Sequence, residues 1–414
     1  MIDRERLLDR FLRYVQVDTT AVEGTDTYPS SPGQMTLGAM LVDELQAMGI
    51  DNAAQDEHGI VVATVPSRGA ESAPVVAFNS HVDTSPETTG AHVKPQVING
   101  YTGGDLVLPG DPEKVIRVSE NPELNDLHGC TLITTDGTTL LGGDDKAGLA
   151  IIMELTQSLM ETSDITHGPV RILFTCDEEI GRGIDYVDIE KLAATACYTL
   201  DGGGANDLDV ETFSADLAVV TVRGVNIHPS IAKDRMVNAI RAASAFVDRL
   251  PRETLSPETT SGREGFLHPY QIEGGVAEVT IRIILRDFET AGLEKQAELL
   301  RKVAAEVESQ FSGASISVET RPQYRNMRDG LEKEPRAVKC AQLAHQRLKR
   351  EAKLSIIRGG TDGSQLTERG LPTPNLSSGQ HNPHSPLEWA CLDEMVQAAE
   401  VLVELAQVWA EDPG

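Results

Sequence analysis

Three adjacent carboxylates follow an apolar run near the middle of the chain. The stretch RILFTCDEEIGRG ends its apolar part with Asp177, Glu178 and Glu179. Neighbouring negative charges repel one another, so this is either a solvated loop or a place where a cation binds. Cys176 is a poor candidate nucleophile, because a thiol at the end of an apolar strand is more often inert and nearby carboxylates disfavour the thiolate. The three carboxylates are the first candidates for chemistry.

Polar side chains also stand where other apolar runs end. His81 and Asp83 in SHVDTS are two residues apart and point to one side of an extended chain. Asp201 follows the run CYTL, and Asp144 and Asp145 open a helical pattern in LLGGDDKAG. Each motif has an ordinary alternative, since strand-end histidines bond neighbouring carboxylates and aspartate is favoured at helix starts. None of them establishes a site alone.

Two further histidines stand in the Pro- and Ser-containing stretch SSGQHNPHSPLEW. They are His381 and His384, and loop histidines are often simply exposed. In open α/β sheets, however, functional side chains meet outside the carboxyl ends of the strands. Carboxylates collected without Lys or Arg need a cation, and imidazole with carboxylate suits zinc or manganese. We therefore expect one metal site to be built from six side chains: His81, Asp144, Glu178, Glu179, Asp201 and His384.

The elements that must position these residues alternate along the first half of the chain. Apolar runs at 60–66, 73–83, 169–179 and 196–204 predict buried strands, and 144–162 predicts a packed helix. Strands that alternate with helices predict an α/β class with a mostly parallel sheet flanked by helices.

The pattern changes after about residue 213. The predicted elements follow a β-α-β-β-α-β order: strand 217–224, helix 230–250, strands near 269–273 and at 277–288, helix 294–311 and strand 315–323. This order predicts an inserted α+β domain of the split-βαβ type. The expected domains are a catalytic domain in two parts, 1–212 and 323–414, with the insertion at 213–322.

Bulk properties exclude several classes of protein. A chain of 414 residues is long enough for two domains, and a net charge of -28 argues against nucleic-acid binding. The N-terminal sequence predicts an amphipathic helix and does not have the pattern of a signal peptide. No apolar run approaches the ~20 residues that span a membrane. The five cysteines are odd in number and never form a C-x-x-C pair. These features predict a cytoplasmic protein with no membrane partner.

Longer motifs carry a family resemblance. SHVDTSP, TLITTDGTTLLGGDDKAG, DEEIGRG, TLDGGG, NIHPSIAKDRMVNA, IILRDF and IRGGTDG together resemble the peptidase T family of tripeptide aminopeptidases. That family belongs to the co-catalytic zinc metallopeptidases, which also include glutamate carboxypeptidase. The resemblance runs in order along essentially the whole chain. It implies that the inserted domain is a lid that closes over a peptide.

The resemblance also implies a role for each candidate side chain. Glu178 would be the general base that acts with a water activated by two zinc ions, and Asp83 would orient His81. His381 remains the reserve for His384 as the second imidazole ligand. The implied metal ligands are His81 and Asp201 on one zinc, Glu179 and His384 on the other, and Asp144 bridging both.

Four positions at or beyond the insertion resemble substrate contacts of the family. His228 in NIHPS would stabilise an oxyanion, and Arg286 in LRDF would grip a peptide carboxylate. Asn238 in MVNA and Gly360 in RGGTDG complete the set. For Arg286, a structural pair with Asp287 is the alternative.

The expected function is the release of the N-terminal residue from tripeptides, with two Zn²⁺ ions as cofactors. Co²⁺ or Mn²⁺ are alternative metals, and the chain would act as a monomer or homodimer. Sister activities on the same fold are dipeptidase, carboxypeptidase and N-acyl amino acid deacylase, because specificity depends on the pocket rather than the metal site. A different class is a catalytically silent metal- or peptide-binding protein. A nucleotide-binding protein would need a phosphate-binding loop, which the sequence lacks.

Overall fold

The structure is a computed structural model that describes residues 2–411. Within this range the chain divides into two compact units. The first unit consists of the residues up to Val210, of Met327–Ser355 and of the residues from Thr361 onward. The second unit consists of Glu211–Asn326 and Ile356–Gly360, and the predicted insertion 213–322 falls inside it.

Strands and helices are numbered along the chain. The strands are β1 (Ala54–Gln55), β2 (Val61–Val65), β3 (Val76–His81), β4 (Gln96–Ile98), β5 (Leu106–Val107), β6 (Val115–Ile116), β7 (Leu132–Thr134), β8 (Val170–Thr175), β9 (Ala196–Gly203), β10 (Asp207–Thr212), β11 (Ser214–Arg223), β12 (Phe266–Gly274), β13 (Glu278–Asp287), β14 (Ser315–Tyr324), β15 (Lys353–Ile357), β16 (Asn375–His381) and β17 (Trp389–Cys391). The α-helices are α1 (Arg4–Tyr14), α2 (Pro32–Ala47), α3 (Gly143–Glu161), α4 (Ile189–Leu192), α5 (Ala239–Asp248), α6 (Thr290–Gln310), α7 (Arg328–Leu331), α8 (Arg336–Arg347), α9 (Asp362–Glu368) and α10 (Leu392–Glu411).

A mixed sheet forms the centre of the first unit. Over the described residues its strands follow the order β1-β2-β8-β3-β9-β16-β17-β7-β4. The central neighbours β8, β3, β9 and β16 run parallel, whereas the pairs beside them, β2 with β8 and β16 with β17, run antiparallel. Every residue of β3 is buried, as expected for a parallel strand covered on both faces.

Alternate residues of the central strands enter two separate cores. On one face, Phe78 and Tyr198 pack in a core that includes side chains of α3 and α10. On the other face, Ala77 and Cys197 pack with Leu366 of α9. This alternation follows from the two-residue period of a strand, and it explains why the strands read as continuous apolar runs. The predicted α/β class with flanking helices is confirmed, but the sheet is mixed rather than mostly parallel, because its parallel pairs are those of the four central strands.

The second unit is an antiparallel sheet with two helices in its core. Within the described residues the strand order is β12-β13-β11-β14, and apolar residues of α5 and α6 pack against it. The predicted β-α-β-β-α-β order is confirmed. The helix predicted over 230–250 was too long, because α5 begins only at Ala239. Asn238 caps its first turn, and Asp234 before it has a left-handed backbone with φ 62°.

The amphipathic helix expected at the start of the chain is α1. Asp3 caps it, and its buried face contains Leu7, Phe11 and Tyr14. Across residues 2–411, each helix is too short or too polar to cross a membrane.

Candidate metal centre and catalytic site

The parallel strands deliver the candidate residues to one edge of the sheet. His81 is the last residue of β3 and lies in register with Thr175, the last residue of β8. Glu178 and Glu179 follow β8 in a short 3-10 helix, Glu178–Ile180. Asp201 lies near the end of β9, which is parallel to β3. The carboxyl ends of three neighbouring strands thus converge, as expected from the fold class.

Asp144 reaches this edge from the start of α3. Its backbone is not helical, with φ -81° and ψ 105°, and the Asp144–Asp145 peptide bond is cis. The buried carboxylate of Glu388 accepts hydrogen bonds from the backbone N–H groups of Leu141, Gly142 and Asp144, at 2.7, 2.9 and 3.1 Å. Glu388 therefore positions the turn that carries Asp144. Sequence reasoning missed this residue, because a glutamate 244 residues away gives no local signal.

Three of the predicted ligands form what we term the inner group. It consists of His81, Asp144 and Asp201, whose potential ligand atoms all lie within 4.8 Å of one another. The Nε2 atom of His81 is 3.0 Å from Oδ1 of Asp144 and 4.0 Å from Oδ1 of Asp201. The His81 side chain is only 2% exposed. The three donors face one another in a nearly closed space.

Three predicted ligands also form what we term the outer group. It consists of Asp144, Glu179 and His384, again with ligand atoms within 4.8 Å. The Nε2 atom of His384 is 2.9 Å from Oε2 of Glu179 and 3.4 Å from Oδ2 of Asp144. Asp144 therefore directs one carboxylate oxygen to each group. The His384 side chain is 34% exposed, so the outer group opens toward solvent.

Asp83 connects the inner histidine to the glutamate pair. The backbone carbonyl oxygen of Asp83 is 3.2 Å from Nδ1 of His81, and one oxygen of its carboxylate is 3.4 Å from the same nitrogen. The same carboxylate accepts hydrogen bonds from the backbone N–H groups of Glu178 and Glu179, both at 3.1 Å. Asp83 is fully buried, so these contacts are shielded from water. Through its backbone carbonyl and its carboxylate, this one residue orients a candidate ligand and fixes the turn that carries the candidate base.

The carboxylates of the site are crowded and incompletely satisfied. Burial raises the pKa of Glu178 well above its usual range, and it raises that of Glu179 to about 7. Burial and the neighbouring Asp144 likewise raise the pKa of Asp201. The buried Oε1 atom of Glu179 has no hydrogen-bond partner among the described residues. These residues fit divalent cations, because carboxylates and imidazoles this close together need a positive charge between them.

The two histidines carry the compensating charge in this arrangement. Burial alone would lower the pKa of His384, but its hydrogen bonds with Asp144 and Glu179 raise it to about 11. Burial opposes protonation of His81 in the same way, and its bonds with Asp144 and Asp83 raise its pKa. Each ring nitrogen therefore stands where a cation would be attracted by the same oxygens.

The third carboxylate of the Asp-Glu-Glu run has a separate role. Asp177 accepts hydrogen bonds from Ser30 Oγ at 2.5 Å, from the Ser30 backbone N–H at 2.8 Å and from Gln34 Nε2 at 2.6 Å. Its backbone N–H donates to Gln34 Oε1 at 3.0 Å. The Asp177 carboxylate is thus hydrogen-bonded by donors around the start of α2, and it belongs to neither metal group. The three adjacent carboxylates are held by different partners.

Two other candidates from the sequence lie outside both groups. His381 stacks on Trp389 with ring centroids 3.7 Å apart, and its Nε2 is 2.7 Å from Oε2 of Glu394. Asp145 accepts a hydrogen bond from Ser80 Oγ at 2.6 Å, which ties α3 to β3. Of the two loop histidines, the structure brings His384 and not His381 to the metal groups.

The four predicted substrate contacts belong to the second unit. His228 is exposed, and its Nδ1 lies 2.7 Å from Ser230 Oγ. Asn238 caps α5 through a bond from Ile240 N to its Oδ1 at 2.9 Å. The Arg286 guanidinium lies 5.0 Å from the ring centroid of Tyr324 and donates a hydrogen bond to Gln323. Gly360 lies so close to the same ring that a Cβ at this position would collide with it. Their contact with substrate stays a prediction.

Comparison with known proteins identifies the family. A family model described as a peptidase dimerisation domain matches residues 210–314. The sequence is 43% identical to peptidase T of Bacillus subtilis over 404 residues, which cover 98% of each chain. The chain belongs to the peptidase T family.

Solved structures agree with this assignment at the level of the fold. A tripeptidase from Staphylococcus aureus has a TM-score of 0.78 at 24% identity, covering 100% of both chains. A dinuclear metal-binding peptidase of the M20 family from Bacillus subtilis has a TM-score of 0.65 at 15% identity, covering 99% of this chain and 98% of the other. The peptidase T family thus shares its architecture with a wider group of peptidases.

Proposed function

We propose that the protein is a metal-dependent aminopeptidase that hydrolyses the N-terminal residue from tripeptides. One observation carries the proposal: two groups of metal-competent side chains share Asp144, and Glu178, which is partly buried, lies next to Glu179 of the outer group. Full-length similarity to peptidase T supports the peptidase activity, and it disfavours the sister activities of dipeptidase, carboxypeptidase and deacylase. A silent binding protein would have no need of a base beside its ligands.

The donor set supports two Zn²⁺ ions as cofactors, with Co²⁺ or Mn²⁺ as alternatives. The inner group would hold one ion through His81 and Asp201, the outer group would hold the other through Glu179 and His384, and Asp144 would contribute to both. Bound zinc polarises a carbonyl and lowers the pKa of water toward ~7. Imidazole and carboxylate donors suit these three metals and do not choose sharply among them.

Glu178 is the proposed general base. Its carboxylate has no hydrogen-bond partner among the described residues, whereas Glu179 beside it is engaged by His384. In its ionised form this carboxylate would accept a proton from the attacking water and later donate it to the leaving amine. The Asp83 carboxylate accepts a hydrogen bond from the backbone N–H of Glu178, which would keep the base in place while it accepts and then donates the proton.

Residues of the second unit would recognise the peptide. The backbone N–H of Ser230 donates to Nδ1 of His228 at 3.3 Å, which favours the neutral tautomer with its proton on Nε2. The Nε2–H group of His228 would donate a hydrogen bond to the oxyanion. Arg286 would bind the peptide carboxylate, and its single bond to Gln323 leaves further guanidinium donors for this purpose. Asn238 and Gly360 are the other two proposed substrate contacts.

The proposed assembly is a homodimer in the cytoplasm. Similarity of residues 210–314 to a peptidase dimerisation domain supports the dimer. The edge strand β12 also exposes Tyr270 and Ile272, two large apolar side chains. The cytoplasmic location is supported by five free cysteines, of which all but Cys130 are buried.

A panel of alanine peptides tests this function. The metal-loaded protein would be incubated separately with Ala-Ala-Ala, Ala-Ala, tetra-Ala and N-acetylated Ala-Ala-Ala, and products would be separated by chromatography. We expect alanine and Ala-Ala from the free tripeptide, and little cleavage of the others. Cleavage of the dipeptide or blocked peptide instead would assign a sister activity. No hydrolysis of any member by fully metal-loaded protein would favour a binding protein.

A further inference from the structure

The histidine of the outer group is held by a segment that no motif identified. His384 has a left-handed backbone with φ 63°, a conformation that residues other than glycine adopt only at a cost. It also stands in the irregular stretch between β16 and β17 rather than on a regular element. Its orientation must therefore be maintained by contacts with other parts of the first unit.

Those contacts come from two consecutive residues after β3. The Oγ1 atom of Thr88 donates a hydrogen bond of 2.7 Å to the backbone carbonyl of His384. The Oε2 atom of Glu87 is 3.3 Å from Nδ1 of the same histidine. Thr88 thus holds the backbone of His384, and Glu87 holds its ring.

The arrangement leaves the other ring nitrogen for the metal site. With Nδ1 directed at Glu87, Nε2 faces Glu179 at 2.9 Å and Asp144 at 3.4 Å. A carboxylate that accepts from one imidazole nitrogen selects the tautomer whose other nitrogen is a free donor to metal. The Glu87 carboxylate lies near Nδ1 of His384 as the Asp83 carboxylate lies near Nδ1 of His81, but Glu87 is 297 residues away from its histidine in the sequence.

We propose that Glu87, supported by Thr88, is a positioning residue that sets the affinity of the outer group for its metal ion. The inference rests on the proposed role of His384 as a ligand. The Glu87 side chain is 71% exposed, and among the described residues its carboxylate pairs with His384, through which it would act on the metal site. An exposed ion pair contributes little to folding, so the effect of Glu87 is on metal binding rather than on stability.

Zinc titration of the metal-free full-length chain tests the proposal. Calorimetry would give the affinity of each ion, and elemental analysis after dialysis would give the number retained. We expect Glu87→Ala to bind one of two Zn²⁺ ions about 10–100-fold more weakly, as for other residues that orient a metal ligand. Glu87→Gln keeps an acceptor without the charge and should lie between Glu87→Ala and the unchanged chain. Thr88→Val should weaken the same ion.

Glu57→Ala is the matched control, because Glu57 is an exposed glutamate 3.6 Å from His58 in the same unit. It should leave both affinities unchanged. Unaltered binding of both ions by Glu87→Ala would overturn the inference. His384→Ala distinguishes that result from failure of the proposed metal centre. This variant should lose the ion that the outer group binds. If His384→Ala still binds two ions, the proposed ligand set itself is wrong.

Discussion

The inner and outer groups use the same kinds of ligand but hold their histidines differently. His81 ends a buried strand, is 2% exposed and is oriented by Asp83, which is two residues away and fully buried. His384 lies in an irregular stretch, is 34% exposed and contacts Glu87, which is 297 residues away and 71% exposed. Only Asp144 belongs to both groups. One half of the site is therefore preformed by a strand, and the other depends on contacts between loops.

This difference shows where rigidity in the site originates. The Asp83 carboxylate also binds the N–H groups of Glu178 and Glu179, so the inner group is coupled to the base. Contacts in a buried environment are stronger, because water does not compete with them. The Glu87 contact faces solvent and is correspondingly easier to break. We expect substitutions around the inner group to affect folding and catalysis, and substitutions around Glu87 to affect metal binding alone.

Asp144→Ala should have the largest effect, because it removes the ligand shared by both groups. Each bound metal supplies several kcal/mol to catalysis, so we expect turnover to fall by more than about 10⁴-fold. Elemental analysis should show weakened binding of both ions, in contrast to the single loss expected for His384→Ala. If Asp144→Ala retained one tightly bound ion, the residue would belong to one group only.

Glu178→Gln should separate catalysis from metal binding. The amide cannot accept the proton from water, so we expect turnover of Ala-Ala-Ala to fall by about 10²–10⁴-fold. Both zinc ions should remain bound, because the ligands and the Asp83 contact are unchanged. Glu179→Gln is the comparison, since it should lower zinc content as well. Turnover near the original level in Glu178→Gln would reject its role as base.

The buried side of the site should also produce a pH dependence. Asp362 is buried near His81 and Asp83, and burial raises its pKa from 3.8 to about 6. The folded chain binds this proton more tightly than the unfolded chain, so the stabilisation is complete below pH 3.8 and is lost as pH rises to 6. The loss amounts to about 3 kcal/mol at 1.36 kcal/mol per pKa unit.

Denaturant unfolding of the metal-free chain between pH 4 and 7 measures the contribution of Asp362 to the free energy of unfolding. Asp362→Asn should reduce the decline in unfolding free energy over that range without abolishing it, because Glu179, with its pKa raised to about 7, contributes to the same decline. The exposed Asp51→Asn should leave the decline unchanged. An identical slope in Asp362→Asn and the original chain would show that another group causes the decline.

The two orienting carboxylates should differ in their effect on stability. Asp83→Ala leaves two partly buried backbone N–H groups without their acceptor, so we expect a loss of about 1–3 kcal/mol in the free energy of unfolding. Glu87→Ala changes an exposed residue and should stay within about 0.5 kcal/mol. Thermal and denaturant unfolding of the two metal-free variants would test the contrast. Equal losses would mean that the outer contact is as structural as the inner one.

Much of the inner group could be predicted from sequence because its partners are local or end predictable strands. The spacing of His81 and Asp83, and the position of Asp201 after an apolar run, are visible without a structure. Glu388, Asp177 and Glu87 show the limit of this reasoning. Glu388 and Glu87 act on residues hundreds of positions away, and the sequence does not show that the Asp177 carboxylate is hydrogen-bonded by Ser30 and Gln34.

The sequence by itself determined the α/β class, the order of elements in the second unit and the residue types at the sheet edge. It did so because apolar periodicity reports which faces are buried, and because strand ends must be polar where they meet a site. Only the tertiary structure decided that Glu388 positions the turn that carries Asp144, and that Glu87 and Thr88 contact His384. Those choices depend on loop conformation and on partners brought together by folding, which no local pattern of residues encodes.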